Sequence, residues 1–134
     1  MPEPILPHTL STAHVLIVED EALILMDIED TIKAMGFSKV TGVMSVERAL
    51  KVVDEDPVDL ALIDIHIAGG DSYAVATALR TRGIPFVFSS GTESADLPQG
   101  FATVPFVDKP YSLAALQDAL TSALGAERGG SAGC

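Results

Sequence analysis

Short apolar runs alternate along this chain with longer stretches in which apolar residues recur every three or four positions. The runs are continuous and rich in β-branched residues, which is typical of buried parallel strands. Strands are predicted at residues 15–18, 39–43, 60–63, 86–88 and 103–107, the last broken or bent by Pro105. The chain therefore predicts five strands separated by other elements.

Amphipathic helices are predicted between the strands. Residues 22–35 form the first, and Gly36 offers its stop signal. Its candidate core positions recur at helical spacing: Leu23, Ile24, Ile28, Ile32 and Met35. Ser45 is the expected N-cap of a helix over residues 46–53, and Ser112 that of a last helix reaching Leu124.

The apolar pattern after residue 70 predicts a further helix around Tyr73 to Leu79, closed by Gly83. Strands that alternate with helices imply right-handed βαβ units, so the fold class is α/β with a doubly wound, mostly parallel sheet. Residues 92–100 contain Pro98 and Gly100 and few apolar side chains, so the fourth helix should be short or absent.

The composition limits the classes of partner that the chain is expected to bind. Eight basic residues against nineteen acidic ones give a formal net charge of −11, which disfavours binding to nucleic acid or to anionic lipid. No apolar run approaches the roughly 20 residues that span a bilayer. Cys134 has no disulfide partner in the chain, which fits a reducing compartment, so we expect a cytoplasmic protein.

One domain accounts for most of this length. We expect a flexible leader at residues 1–13, a globular domain at 14–125 and a disordered Gly-rich tail at 126–134. His8 and His14 precede the first predicted strand and His66 lies in a loop, without the spacing of a metal site. We therefore expect none of the three imidazoles to be a ligand.

Acidic residues follow two of the buried strands: Glu19 and Asp20 come after the first, and Asp64 after the third. Ligands of doubly wound sheets bind beyond the carboxyl ends of the strands, where these residues meet. Carboxylates gathered there repel one another unless a cation lies among them, and hard oxygen ligands favour Mg²⁺. An Asp carboxylate can then act as a nucleophile toward a phosphoryl donor, with charge stabilisation from Lys109 and the Ser90 hydroxyl.

Four segments in this order resemble the receiver domains of two-component response regulators over roughly residues 13 to 124. They are Val15-Leu16-Ile17-Val18-Glu19-Asp20-Glu21, Leu62-Ile63-Asp64, Ser90-Gly91 and Lys109-Pro110. The resemblance implies a flavodoxin-like, CheY-like sheet with strand order 2-1-3-4-5. It also implies a phosphoacceptor signalling domain rather than an enzyme, limited to its own phosphorylation and dephosphorylation.

The resemblance also assigns site residues. Glu19, Asp20, Asp64 and the backbone carbonyl of His66 would hold Mg²⁺, and Asp64 would accept the phosphoryl group. Ser90 would bind a phosphoryl oxygen and Lys109 would pair with Asp64 or its phosphate. Phe106 stands where the family has its switching aromatic residue.

Pro85-Phe86-Val87-Phe88-Ser89-Ser90-Gly91 is similar to the Pro-Phe-x-Phe-Ala-Thr-Gly-Tyr signature of the alphaproteobacterial FATGUY receivers. Ser89 replaces Ala, Ser90 replaces Thr with retention of the hydroxyl, and Thr92 stands in place of Tyr. This implies a single-domain receiver served by a sensor histidine kinase, of the HWE or a related type in that subfamily. It would pass the signal to a phosphotransfer or regulatory protein, or drain phosphate from the kinase as a sink.

Three other functions are weighed against this one. A flavodoxin-like FMN carrier would need an uncharged phosphate loop where Glu19-Asp20-Glu21 stands. A phosphatase with an Asp nucleophile usually has a second acid two residues later, where this chain has His66. The main alternative is a degenerate receiver that binds partners without phosphorylation, because the first acid is Glu19 rather than the family's usual Asp.

Overall fold

The computed structural model describes residues 13–65, 67, 72–90, 106–108 and 114–123. The strands are β1 (His14–Val18), β2 (Lys39–Val43), β3 (Leu60–Asp64), β4 (Phe86–Ser90) and β5 (Phe106–Asp108). The helices within these ranges are α1 (Ala22–Ala34), α2 (Val46–Glu55), α3 (Ser72–Thr81) and α4 (residues 114–123). The predicted α/β alternation is confirmed.

All five strands form one parallel sheet in the order β2-β1-β3-β4-β5, as predicted. β1 lies between β2 and β3, and Val18 is level with Val43 on one side and with Ile63 on the other. The carboxyl ends of β1 and β3 are therefore adjacent. This is the edge at which the sequence places its acidic residues.

Two apolar layers cover the sheet, one on each face. Side chains from alternate positions of β1 and β3, such as Ile17 and Leu62, pack with α1 and α4. Their neighbours, such as Val18 and Ile63, pack on the opposite face with α2 and α3. Because both faces are buried, the strands are continuously apolar rather than alternating, which is why they could be recognised from sequence.

The helix ends follow their sequence signals. Ser45 is the N-cap of α2, and its hydroxyl accepts a hydrogen bond from the Arg48 N–H at 3.2 Å. Gly36 and Gly83, just beyond α1 and α3, have φ angles of 114° and 72°, which side-chain-bearing residues rarely adopt. These positions fix where each helix stops and turns toward the next strand.

The buried face of α1 differs from the prediction at one of its five positions. Leu23, expected to face the core, is 81% exposed, whereas Ile28 and Ile32 are buried and Ile24 and Met35 pack against the core partly buried. Leu25 is buried instead, because it lies three residues before Ile28 and so on the same face of the helix, which position 23 does not. Gly42 of β2 explains the close packing of this face, because a Cβ there would lie 2.7 Å from Leu25 Cδ1 and 2.6 Å from Glu29 Oε2.

His14 was placed before the first strand by its sequence context, and this is wrong. It is the first residue of β1 and is buried. Its Nε2 lies 2.7 Å from Thr41 Oγ1 and its Nδ1 lies 3.2 Å from the Pro57 carbonyl oxygen. A buried, hydrogen-bonded histidine at a strand start has no apolar signal, so the predicted strand began one residue late.

Three predictions concern residues outside the described ranges: most of the leader before residue 13, the short fourth helix at residues 92–100, and the tail at 126–134. They stay predictions. None of the helices in the described part of the chain is long and apolar enough to cross a membrane.

Candidate functional site

The carboxyl edge of the sheet brings three predicted site residues together. Val18 pairs with Ile63, so the next residues of the two strands, Glu19 and Asp64, follow side by side. Side chains alternate between faces along a strand. Glu19 and Asp64 therefore lie on the same face as Ile17 and Leu62, directly above the core that α1 and α4 cover.

Glu19, Asp20 and Asp64 each offer a carboxylate oxygen, and these oxygens all lie within 4.8 Å of one another. Glu19 is only 1% exposed and Asp64 only 6%, whereas Asp20 is half-buried. Two like charges at this distance repel by roughly 3 kcal/mol at an effective dielectric constant of about 20. A cation among the carboxylates would offset this repulsion.

The main chain holds Glu19 in place. Its N–H donates to the Val43 carbonyl at 3.0 Å, which extends the β1–β2 pairing one residue beyond the strand. Its Oε2 accepts a hydrogen bond from the Glu21 N–H at 3.2 Å, just before α1 begins. The backbone just before α1 thus holds the buried Glu19 carboxylate near Asp64 at the end of β3.

The backbone that follows Asp64 is held from two sides. The Ile65 N–H donates to the Ser89 carbonyl at 2.9 Å, and the Ile65 carbonyl accepts from the Ser72 hydroxyl at 2.6 Å. Sequence reasoning did not single out Ser72, because a serine at a helix start predicts only a cap of its own helix. Its bond to a residue seven positions earlier has no sequence signal.

The remaining predicted site residues are only partly described. Ser90 is the last residue of β4 and lies at the carboxyl edge, whereas Phe106 is the first residue of the neighbouring strand β5 and is level with Phe88. Lys109 and His66 lie outside the described residues. The roles predicted for these four residues stay predictions.

The oxygen set fits a hard divalent cation. Mg²⁺ binds one or two protein carboxylates, keeps several waters and accepts a phosphate oxygen, which suits a partly open group of acids. Here the donors are three carboxylates at the edge of a doubly wound sheet, where ligands of such folds bind. The fold and the site thus define an α/β protein with a candidate cation site at its carboxyl edge.

Comparison with known families identifies the class more closely. The response regulator receiver domain model matches residues 15–121, a range that includes most of β1 and most of α4. The chain belongs to the response regulator receiver domain family. Members of this family are signalling domains rather than conventional enzymes.

Similar proteins include several bacterial response regulators. The phyllosphere-induced regulator PhyR of Methylorubrum extorquens is 35% identical over 77 residues, which are 55% of this chain and 29% of PhyR. A response regulator receiver protein from Sinorhizobium medicae is 28% identical, with a TM-score of 0.79 over 88% of this chain and 98% of that one. The BeF3-activated conformation of SdrG from Pseudomonas melonis is 36% identical, with a TM-score of 0.73 over 84% of this chain and 98% of SdrG.

The curated relatives are mostly longer proteins. This chain spans 13% of the rice two-component response regulator ORR27, 29% of PhyR and 45% of the Bacillus subtilis regulator YvrH. The similarity therefore concerns the receiver domain that these proteins share.

Proposed function

We propose that the chain is a phosphoacceptor of a two-component phosphorelay, with Asp64 as the residue that takes the phosphoryl group. The observation that supports this most directly is the convergence of Glu19, Asp20 and Asp64 within 4.8 Å at the carboxyl edge of a receiver fold. Asp64 ends the central strand β3 and is accessible over a small part of its surface. A phosphoryl donor would approach it at the carboxyl edge of the sheet.

Glu19, Asp20 and Asp64 would hold Mg²⁺, together with the backbone carbonyl of His66 that the family resemblance implies. When bound, Mg²⁺ neutralises charge on the carboxylates and on the phosphoryl oxygens. Within the chain, Glu19 and Asp20 fix the position of the cation, and Asp64 also provides the nucleophile. Ser90 and Lys109 are the proposed contacts of the phosphoryl oxygens, and Phe106 the proposed switch.

In the transfer step, a carboxylate oxygen of Asp64 forms a bond to phosphorus while the bond from phosphorus to the donor's histidine nitrogen breaks. The electron pair of that bond stays on the imidazole nitrogen, and the product is an acyl phosphate on Asp64. Glu19 and Asp20 form no bond to phosphorus in this step. Water can later attack the phosphorus, which restores the carboxylate and ends the signal.

The donor is proposed to be a sensor histidine kinase, of the HWE type by the resemblance to the FATGUY receivers. Exposed apolar side chains stand near the site edge and suit a docking partner: Leu23 and Met26 on the first turns of α1, and Met44 just after β2. The signal would leave by phosphorylation-dependent binding to a regulatory or phosphotransfer protein, or the domain would act as a phosphate sink. The cytoplasmic location stays a prediction.

Phosphorylation by a small donor tests the proposal without any partner. Acetyl phosphate with Mg²⁺ should give a phosphoryl adduct that is labile in acid and in base on the parent protein and none on Asp64→Asn. Asp30→Asn is the matched control, because Asp30 is an exposed carboxylate on α1 outside the acidic cluster. This variant should be labelled like the parent.

The outcomes separate the proposal from its main alternative. Equal labelling of Asp64→Asn and the parent would assign the phosphoryl group to another residue. No labelling of a folded parent by acetyl phosphate or by any kinase of the same genome would favour the degenerate receiver that binds partners without phosphorylation.

A further inference from the structure

The side chain of Ser72, the first residue of α3, contacts the backbone beyond β3. It is only 2% exposed, and its hydroxyl donates a 2.6 Å hydrogen bond to the Ile65 carbonyl. Ser45, by contrast, is the N-cap before α2, and its hydroxyl accepts a hydrogen bond from the Arg48 N–H of its own helix. Ser72 thus joins the start of α3 to the residue that follows Asp64.

The helix that carries Ser72 is firmly anchored. Val75, Ala76 and Leu79 of α3 are completely buried against the α2-side face of the sheet. The Tyr73 ring, next to Ser72, packs edge-on against Phe88 of β4 with 5.8 Å between ring centroids. The packing of α3 therefore holds the Ser72 hydroxyl in a fixed position relative to the sheet.

Ile65 connects the Ser72 hydroxyl to the candidate cation site. Its N–H is held by the Ser89 carbonyl of β4 and its carbonyl by Ser72, so both polar groups of the residue after Asp64 are engaged. Asp64 must keep its carboxylate close to Glu19 and Asp20 against mutual repulsion. The direction of that carboxylate depends on the backbone at residues 64 and 65.

We infer that Ser72 is a positioning residue for the cation site: by fixing the Ile65 carbonyl it holds Asp64 in the geometry that binds Mg²⁺. The inference rests on the proposed function, since it takes Asp64 as a ligand and phosphoacceptor. Groups that orient metal ligands through hydrogen bonds typically change metal affinity by about 10- to 100-fold when removed. Ser72 acts through the main chain rather than through a ligand side chain, so we expect the lower end of that range.

Mg²⁺ titration followed by backbone amide shifts in NMR spectra tests this with two serine variants. Ser72→Ala should raise the Mg²⁺ dissociation constant by about tenfold. Ser45→Ala is the matched control, because it removes a hydroxyl hydrogen-bonded at the start of α2 and should lower the melting temperature without moving the dissociation constant more than about twofold. Exchange of the Ile65 amide hydrogen should become faster in Ser72→Ala and stay unchanged in Ser45→Ala.

Two results would overturn the inference while leaving the proposed function intact. In one, Ser72→Ala binds Mg²⁺ within about twofold of a parent that does bind it. In the other, both variants weaken binding equally, which would make the effect one of general stability. A folded parent that binds no Mg²⁺ would instead contradict the proposed function, and Ser72 would then have no cation site to support.

Discussion

Asp20 is the most exposed of the three clustered carboxylates, so its charge can be removed with the least disturbance of packing. We predict that Asp20→Asn weakens Mg²⁺ binding by roughly tenfold or more, since one anionic ligand is lost. Without metal, the variant should be more stable than the parent by roughly 1 kcal/mol, because repulsion within the cluster is relieved. Both effects can be read from thermal melting with and without Mg²⁺.

Asp30→Asn is again the control, since it removes the same charge from α1 outside the cluster. If Mg²⁺ raises the melting temperature of Asp20→Asn as much as that of the parent, Asp20 is not a ligand. A loss of stability without metal would show that compensating positive charge already outweighs the repulsion.

His14 has a structural role at the opposite end of β1. A carbonyl oxygen only accepts, so Nδ1–H donates to Pro57, and Nε2 is hydrogen-bonded to the Thr41 hydroxyl. The imidazole thus joins β1 to β2 and to the segment before β3. We predict that His14→Ala lowers the free energy of unfolding by about 2–3 kcal/mol, from lost hydrogen bonds and a cavity.

Denaturant unfolding measures that loss, and Mg²⁺ titration supplies the contrast. Because His14 starts the strand whose other end leads to Glu19, the Mg²⁺ dissociation constant should stay within about twofold of the parent's. A variant of parental stability would contradict the structural role, and a large loss of Mg²⁺ affinity in a folded variant would imply coupling along β1.

Some of the residues that shape the structure could be predicted from the sequence, and others could not. Glu19, Asp20 and Asp64 could be predicted as one site because each follows a recognisable strand, and parallel strands bring their carboxyl ends together. Ser72 and His14 could not, because their bonds join residues 7 to 43 positions apart and depend on packing that no local pattern encodes.

At the scale of elements, α1 combines a buried face with an exposed apolar one. Its buried residues pack beneath the site, and Leu23 and Met26, three residues apart and so on neighbouring turns, are 81% and 59% exposed. Periodicity predicted the helix correctly but included Leu23 among its core positions. An exposed leucine beside a functional edge is instead consistent with a surface that a partner covers.

If the kinase docks on α1, a substitution there should slow phosphotransfer from the kinase and leave labelling by a small phosphodonor unchanged. Leu23→Asp should slow phosphotransfer from the cognate kinase by about tenfold or more, because a charge replaces a contact that becomes buried in the complex. Labelling by acetyl phosphate should stay near the parental rate, since Leu23 is not a member of the acidic cluster.

Ala74→Asp is the matched control. Ala74 is exposed on α3, which covers the opposite face of the sheet, so the variant adds the same charge away from α1. Equal slowing of kinase transfer by both variants would point to net charge rather than to docking. An unchanged kinase rate in Leu23→Asp would exclude this part of α1 from the kinase interface.

For the whole molecule, the type and order of the described strands and helices along the chain could be predicted from the apolar pattern. A sheet buried on both faces produces continuous apolar strands, and helices between them produce the three- and four-residue spacing. Strand order came from the family resemblance rather than from the pattern, and the structure confirms it. The ends of strands and helices were predicted less accurately, since β1 begins with a buried histidine and α2 extends two residues beyond its prediction.

The central claim, that Asp64 is the phosphoacceptor, is tested most directly by locating the phosphoryl group after transfer from an autophosphorylated kinase. Borohydride reduction of the acyl phosphate followed by tandem mass spectrometry identifies the modified residue. We predict that reduction modifies a single residue, at position 64. The modification should appear when Mg²⁺ is present during transfer and be absent when Mg²⁺ is chelated before transfer. A phosphoryl group on any other residue, or equal transfer with Mg²⁺ chelated, would contradict the account.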